Sequence, residues 1–177
     1  MSIVLPFGKR QAATPIDWNA LYADHIGRIF NFFRYRVGDE ATAEDLTAVT
    51  FEKAWVKRKQ FRGDADSFTH WLYAIARNVA NDHFRTRPDT VALDETLNLT
   101  TGSNLGEAVA RRIEFIQLVH AINQLPERER DVIVLKYGAD LNNRQIARQL
   151  DLSESNVGSI LHRTIQKLRL QLEQKDE

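Results

Sequence analysis

Seven polar side chains near the C-terminal end fall at helical spacing: Ser155, Asn156, Ser159, His162, Arg163, Gln166 and Lys167. Steps of three and four residues put them along one side of a helix. Hydroxyl, amide and imidazole groups donate and accept hydrogen bonds, and the Arg and Lys add cations suited to phosphate. That chemistry is the non-covalent reading of base edges and backbone phosphates. Covalent chemistry finds no comparable grouping. The chain has no cysteine, which excludes disulfides, thiolate catalysis, thiol redox sensing and cysteine-ligated zinc. The five histidines, at 25, 70, 83, 120 and 162, show no ligand spacing such as HExxH. "FRGDADS", with its single Gly, makes no phosphate loop, and its Asp64 and Asp66 sit in a polar loop rather than a catalytic pair. No metal and no cofactor are expected, and the chain is read as performing no covalent chemistry.

Two short helices must position the seven residues. Asn143 is the expected N-cap of the first, whose apolar face is Ile146, Ala147 and Leu150. Asp151-Leu152-Ser153 is a three-residue turn, with Ser153 capping the second helix and Leu152 pointing inward. Val157, Ile160, Leu161, Ile165 and Leu168 bury one side of that second helix. The small Ala147 permits a close crossing, and Val157 fills the angle between the helices. This is the pattern of a helix-turn-helix. A plain helical hairpin with a solvated polar face has the same apolar spacing. The short turn, the small residue and the amide-rich start of the second helix favour DNA. Asp151 stands where many such turns carry Gly, and Asp tolerates the left-handed backbone.

Upstream the pattern is helical almost throughout. One helix runs from an Asp17 cap to about Val37, with Leu21, Ile26, Ile29, Phe30, Phe33 and Val37 on its apolar side. A second runs from about Ala41 to Lys59, with Leu46, Val49, Phe51, Ala54 and Trp55 as its large apolar positions. After a loop over 61–66, a third starts at Ser67 and ends before Pro88, with Phe68, Trp71, Leu72, Ile75, Ala76 and Val79 inward. Trp71 belongs to the core on this spacing, and Trp18 and Trp55 are half-buried. Phe61 and Phe68 bracket the loop and fit either core or base stacking. Lys53, Lys57, Arg58, Lys59 and Arg62 form a basic cluster, read as a solvated helix end or a DNA contact, and Arg77, Arg85 and Arg87 form another.

Residues 88–112, rich in Thr, Asn, Asp and Gly, read as a flexible linker with a reach of up to ~65 Å. Helices resume at Arg112, through Ile113, Ile116, Val119 and Ile122, and again from Glu127 to Tyr137. The expected fold is all-α: a disordered tail over 1–16, a helical domain over 17–87, the linker, and a helix-turn-helix domain over 113–177, separately folded and loosely tethered. Lys and Arg total 24, as do Asp and Glu, so the net charge is zero. Such a chain holds DNA weakly by itself. No signal segment or membrane span is read, which places the protein in the cytoplasm without a membrane partner.

With these residues in view, the whole chain resembles a bacterial extracytoplasmic-function (ECF) sigma factor. "LPERERDVIVLKYGADLNNRQIARQLDLSESNVGSILHRTIQKLR" resembles that family's region 4, "AEDLTAVTFEKAW" its region 2.2, and "FRGDADSFTHWLYAIARNVANDHFR" its regions 2.3 and 2.4. The resemblance implies a subunit that binds core RNA polymerase, directs it to a −35/−10 promoter class and helps to open the strands. The helix with Asp45, Thr47, Ala48, Phe51 and Trp55 would dock on the clamp helices. Phe61, Arg62, Gly63, Asp64, Asp66 and Ser67 would receive a flipped base of the −10 element, and Asn78, Asp82 and Arg85 would meet the −10 DNA. The 153–167 helix would enter the major groove at −35. Helices 113–137 would pack on the flap tip, and the linker would run toward the RNA exit channel. The resemblance also implies a monomer when free and an anti-sigma protein as regulator.

The chain departs from the family pattern in two places. Ala48-Val49 stands where a Gln-Glu pair is common, and Ser155-Asn156 and Gly158 replace a more usual Gly-Thr and a basic residue. Thr47 and Thr50 lie beside the first departure; either a phosphate there would restore negative charge, or both are ordinary helix-surface or helix-packing residues. Two rival readings stand beside this one. One is a helix-turn-helix regulator that binds operators without polymerase; the other is a helical hydrolase or metal enzyme, for which no constellation of residues is present.

Overall fold

The computed structural model describes residues 17–86 and 105–173. The proposed tail, and all of the proposed linker up to residue 104, lie outside the described residues. Three helices form an N-terminal module: α1 (Trp18–Val37), α2 (Glu40–Lys57) and α3 (Ala65–Thr86), with a 3-10 turn, Arg58–Gln60, after α2. Four form a C-terminal module: α4 (Leu105–Asn123), α5 (Glu127–Ile133), α6 (Asn143–Leu150) and α7 (Glu154–Glu173). A π turn over Val134–Gly138 continues α5. No strand occurs among the described residues.

Local chemistry sets the ends of these helices. The Asp17 carboxylate accepts from the N–H groups of Asn19 and Ala20, opening α1. Gly38, at φ 76°, closes it in a conformation that costs glycine nothing. The third helix starts two residues before the expected Ser67, because Asp64 rather than Ser67 supplies the cap. Helix α4 begins at Leu105, inside the stretch read as linker and ahead of the expected start at Arg112. Ala, Glu and Arg dominate 107–112, and these are strong helix formers even next to a polar segment.

Helix α2 turns a different face inward from the one its large apolar residues suggest. Ala43, Leu46, Thr47, Thr50 and Ala54 are its buried residues, whereas Val49 is 37% and Trp55 53% exposed. The buried stripe is small, so α1 and α3 approach closely. Each Thr hydroxyl is satisfied by the carbonyl four residues back, Thr47 to Ala43 at 2.7 Å and Thr50 to Leu46 at 2.8 Å. On α1, Ile26 is only half-buried; Phe32 and, unexpectedly, the polar His25 and Arg36 are buried instead.

The two helical modules pack against each other. One contiguous buried apolar cluster runs through both modules. The N-terminal module contributes Ile29, Phe32, Phe33, Leu72 and Tyr73; the C-terminal module contributes Ile122, Val132, Leu135, Leu141 and Ile146. The seam lies mainly between α1 and the π turn. Gly138 sits so close to α1 that a Cβ there would lie 3.1 Å from the Asn31 carbonyl oxygen and 3.3 Å from Phe32 Cα. Asp131 of α5 takes Arg36 of α1 at 3.1 Å and Arg77 of α3 at 2.8 Å. Asn123 donates to the Arg36 carbonyl at 2.8 Å, and Tyr35 meets Phe115 edge-on.

Candidate nucleic-acid interface

The α6–α7 pair has the expected geometry, with one shift of register at its start. The N-cap of α6 is Asn142 rather than Asn143, and Asn142 and Gln145 cap each other's backbone reciprocally at 2.9 and 3.0 Å. Asp151 adopts the left-handed conformation, φ 54°, and closes the helix. The Leu152 N–H then reaches back to the Ala147 carbonyl at 2.9 Å. Ser153 Oγ accepts from Asn156 N–H at 3.1 Å and opens α7. Val157 is fully buried, Ala147 and Ile160 nearly so, which locks the crossing.

That crossing leaves Ser155, Asn156, Ser159, His162, Arg163, Gln166 and Lys167 exposed together on one side of α7. Gln166 and His162 are hydrogen-bonded at 3.1 Å, Ser159 donates to the Ser155 carbonyl at 3.1 Å, and Lys167 reaches Glu129 at 3.4 Å. These contacts hold the ridge in a defined pose. A Cβ on Gly158 would meet nothing closer than Asn143 Nδ2 at 3.9 Å, so the glycine is not demanded by packing and leaves a shallow dip in the ridge. Arg144 and Arg148 are exposed on α6 and line a cleft with Asp66 and His70 of α3. The sequence reading passed over them, although their spacing of four residues, opposite Ile146 and Ala147, was the available signal.

The expected −10 residues do not form one cluster. Phe61 is 7% exposed and Phe68 1%, and both are packed edge-on or tilted against Trp18 and Trp71 at 5.2–6.5 Å. Phe61 is therefore packed among aromatic rings rather than open at the loop surface. The exposed part of the loop is Arg62, Gly63, Asp64 and Asp66, with Ser67 half-buried. The Arg62 guanidinium bonds the carbonyls of Lys59 and Phe61. Asp64 accepts from Ser67 N–H at 2.8 Å, and hydrogen bonding by Ser67 holds its carboxyl below the usual range. Asn78, Asp82 and Arg85 are exposed further along α3; Ser67 and Asn78 are about 16 Å apart along the axis. Asp82 pairs with Arg85 at 3.1 Å and with Lys53 at 3.8 Å.

Of the α2 residues, Asp45, Ala48 and Trp55 are exposed and Phe51 is half-buried against Tyr22 at 4.7 Å. The Arg58 guanidinium lies 3.9 Å from the centre of the Trp55 ring. A recess of about 240 Å³ lies beside them, lined by Trp18, Tyr22, Phe51 and Trp55 among others. Thr47 is 5% exposed and Thr50 0%, with both hydroxyls committed to the helix backbone. Both threonines pack inside the helix bundle, in keeping with the helix-packing alternative.

Among the described residues no group of three or more His, Cys, Asp or Glu side chains could hold a metal ion. His25 is tied to Thr69 at 3.0 Å and to the Leu21 carbonyl at 2.9 Å, and burial lowers its pKa. No described helix is long and apolar enough to cross a membrane.

A helix-turn-helix with an exposed polar ridge, packed on a second helical module with its own exposed aromatic face, defines the class: an all-helical protein of the DNA-reading kind. Comparison with known proteins narrows it. Residues 21–88 match the Sigma-70 region 2 family and residues 121–170 the Sigma-70 region 4 family. The ECF RNA polymerase sigma factor SigL of Mycobacterium tuberculosis is 29% identical over 164 residues, covering 92% of this chain and 93% of that protein. The ECF RNA polymerase sigma factor BldN of Streptomyces coelicolor is 27% identical over 169 residues, 90% of this chain but only 62% of that longer protein. The solved structure of CnrH in complex with the cytosolic domain of CnrY aligns with a TM-score of 0.65 at 25% identity, over 88% of this chain and 86% of that one. The chain belongs to the ECF sigma factors of the Sigma-70 family.

Proposed function

We propose that this sigma factor reads a −35 element with the exposed ridge of α7, reads and holds open a −10 element with the 62–67 loop and the outer side of α3, and docks on core RNA polymerase through α2. The observation that carries the reading is the α7 ridge, whose seven residues stand on a helix fixed by caps and a buried Val157. Hydroxyls and amides at its start suit base edges; Arg163 and Lys167 suit phosphate. A base out of its stack costs a few kcal/mol, and the rigid loop capped by Asp64 supports a pocket for one. The exposed Trp55, Ala48 and Asp45 support docking on the clamp helices, and α4–α5 offers a second face for the flap. The chain's zero net charge suits a subunit that leaves most phosphate contacts to the polymerase and contributes discrimination. The two modules, 17–87 and 113–177, act as two reading heads, and an anti-sigma protein would regulate access to both.

Gel filtration with core polymerase tests the docking: co-elution is expected, and a free dimer that binds duplex DNA tightly alone would replace this reading with that of a stand-alone regulator. Run-off transcription from a promoter library then gives the −35 and −10 sequences, with substitutions at Asn156 and His162 shifting the −35 preference and leaving the −10 preference alone.

A further inference from the structure

We propose that a recess enclosed by α1, α3, α4 and α5 binds the phosphate groups of a nucleotide-sized ligand, with Phe84 as the platform for its ring. The recess holds about 450 Å³, within the range of small-molecule sites. Three arginines line it, Arg36 of α1, Arg85 of α3 and Arg130 of α5, against one carboxylate, Glu127. The fold leaves donors of these arginines unused. The Arg36 side chain is 3% exposed, yet among the described residues it makes one hydrogen bond, from Nη1 to Asp131 at 3.1 Å, and its Nε is buried without a partner. Asp131 is itself shared with Arg77 at 2.8 Å. Arg130 Nε is likewise buried without a partner among the described residues, and its Nη1 reaches the Asn123 carbonyl only at 3.4 Å. Arg85 has one exposed partner, Asp82 at 3.1 Å.

The charges point the same way. Burial lowers the Arg36 pKa to about 10; Arg130 and Arg77 push it down further, and Asp131 and Glu127 offset them in part. Arg36 is still a cation at neutral pH, and the three guanidinium groups around it outnumber the two carboxylates. The oxygens of a phosphate would balance that excess and accept from the arginine forks, whose planar donors match them. The other walls suit the rest of a nucleotide. Phe84 is half-buried, with the Arg36 guanidinium 5.1 Å from its ring centre. Asn123 donates its amide N–H groups to the Arg36 and Val119 carbonyls at 2.8 and 3.0 Å. Its amide oxygen is left as an acceptor for a ligand hydroxyl. A DNA strand along the outer side of α3 would meet Arg85. It would be stopped by Asn123, Glu127 and Arg130 on the far wall, and the deeply placed Arg36 is within reach only of a compact group.

Isothermal titration of the full chain with ADP, with pyrophosphate and with adenosine needs neither polymerase nor promoter. ADP should bind more tightly than pyrophosphate, and adenosine least of all. Arg130→Gln should weaken ADP and pyrophosphate alike by about tenfold, the effect of losing one charge-assisted hydrogen bond. Phe84→Leu should weaken ADP and leave pyrophosphate unchanged. Glu127→Gln removes the exposed carboxylate from the recess and should tighten both by about threefold, a gain that a folding defect cannot imitate. Arg128→Gln, which loses the same charge from an exposed position on α5 outside the recess, should bind both as wild type does. No saturable binding of ADP at millimolar concentration overturns the site, as does ADP binding that Arg130→Gln and Glu127→Gln both leave unchanged. Equal affinity for ADP and pyrophosphate overturns the assignment to a nucleotide. Single-stranded DNA binding that is lost in Arg130→Gln while ADP binding is intact would give the recess to a nucleic-acid strand and overturn the proposal as well.

Discussion

Replacing Gly63 by Ala is a sharp test of how the 62–67 loop is held. Gly63 φ is not in the left-handed region that would itself demand glycine, so the constraint is space. A Cβ there would fall 2.7 Å from Ser67 Cβ and 3.0 Å from the Phe61 ring. Neither neighbour yields easily: Ser67 is part of the α3 cap through its 2.8 Å bond to Asp64, and Phe61 is packed against Trp18, Phe68 and Trp71. Overpacking of this kind costs about 1–3 kcal/mol, and losing the cap about 1 kcal/mol. For a chain of this size a kcal/mol shifts Tm by about 2–4 °C, so Gly63→Ala should lower Tm by about 4–16 °C. The control is Gly27, an exposed glycine inside α1 with nothing within 4 Å of a Cβ. Gly27→Ala should be stabilising by about 0.5–1 kcal/mol and raise Tm slightly. Thermal melts by circular dichroism read both, and affinity for single-stranded −10 DNA should fall only for Gly63→Ala. A Gly63→Ala protein that melts at or above wild type and binds that strand equally well would refute the packing account of the loop.

Other outcomes follow from the same geometry. His162→Ala or Asn156→Ala should each cost about 1–3 kcal/mol in −35 discrimination with an unchanged Tm, because both side chains are exposed; competition binding reads this. Trp55→Ala should weaken core binding by about 2 kcal/mol or more if it anchors the docking face, with little loss of stability given its 53% exposure; titration of labelled core checks it. Thr50→Val should fold and cost no more than about 1 kcal/mol, whereas Thr50→Glu should not fold stably, since it buries a charge without a partner; urea melts separate the two. His25 carries a pKa lowered by burial from 6.5, so the unfolded chain binds its proton more readily than the folded one. Stability from this group is complete above that value and is lost as pH falls below it. His25→Gln should flatten that part of the stability–pH profile measured by chemical denaturation.

Wherever a feature depends on residues within one turn, reading the chain anticipated it. The caps at Asp17 and Ser153, the left-handed Asp151 and the polar ridge of α7 are of this kind. The α2 stripe was not anticipated, because hydrophobicity alone ranks Val49 and Trp55 above two threonines. Burial instead followed the small, self-satisfied side chains that let three helices come close. Phe61 was left open between core and base, and only the ring of Trp18, Phe68 and Trp71 decided it.

By itself the amino-acid order determined that the chain is helical, where most of its helices lie, and which face of α7 stays polar, since helix periodicity and capping act over three or four residues. The tertiary structure alone decided that the two modules close on each other. Arg36 and Asp131 stand 95 positions apart, and Arg77 and Asp131 54 apart. Each looks like an ordinary solvated charge until docking excludes water and leaves the three no partners but one another.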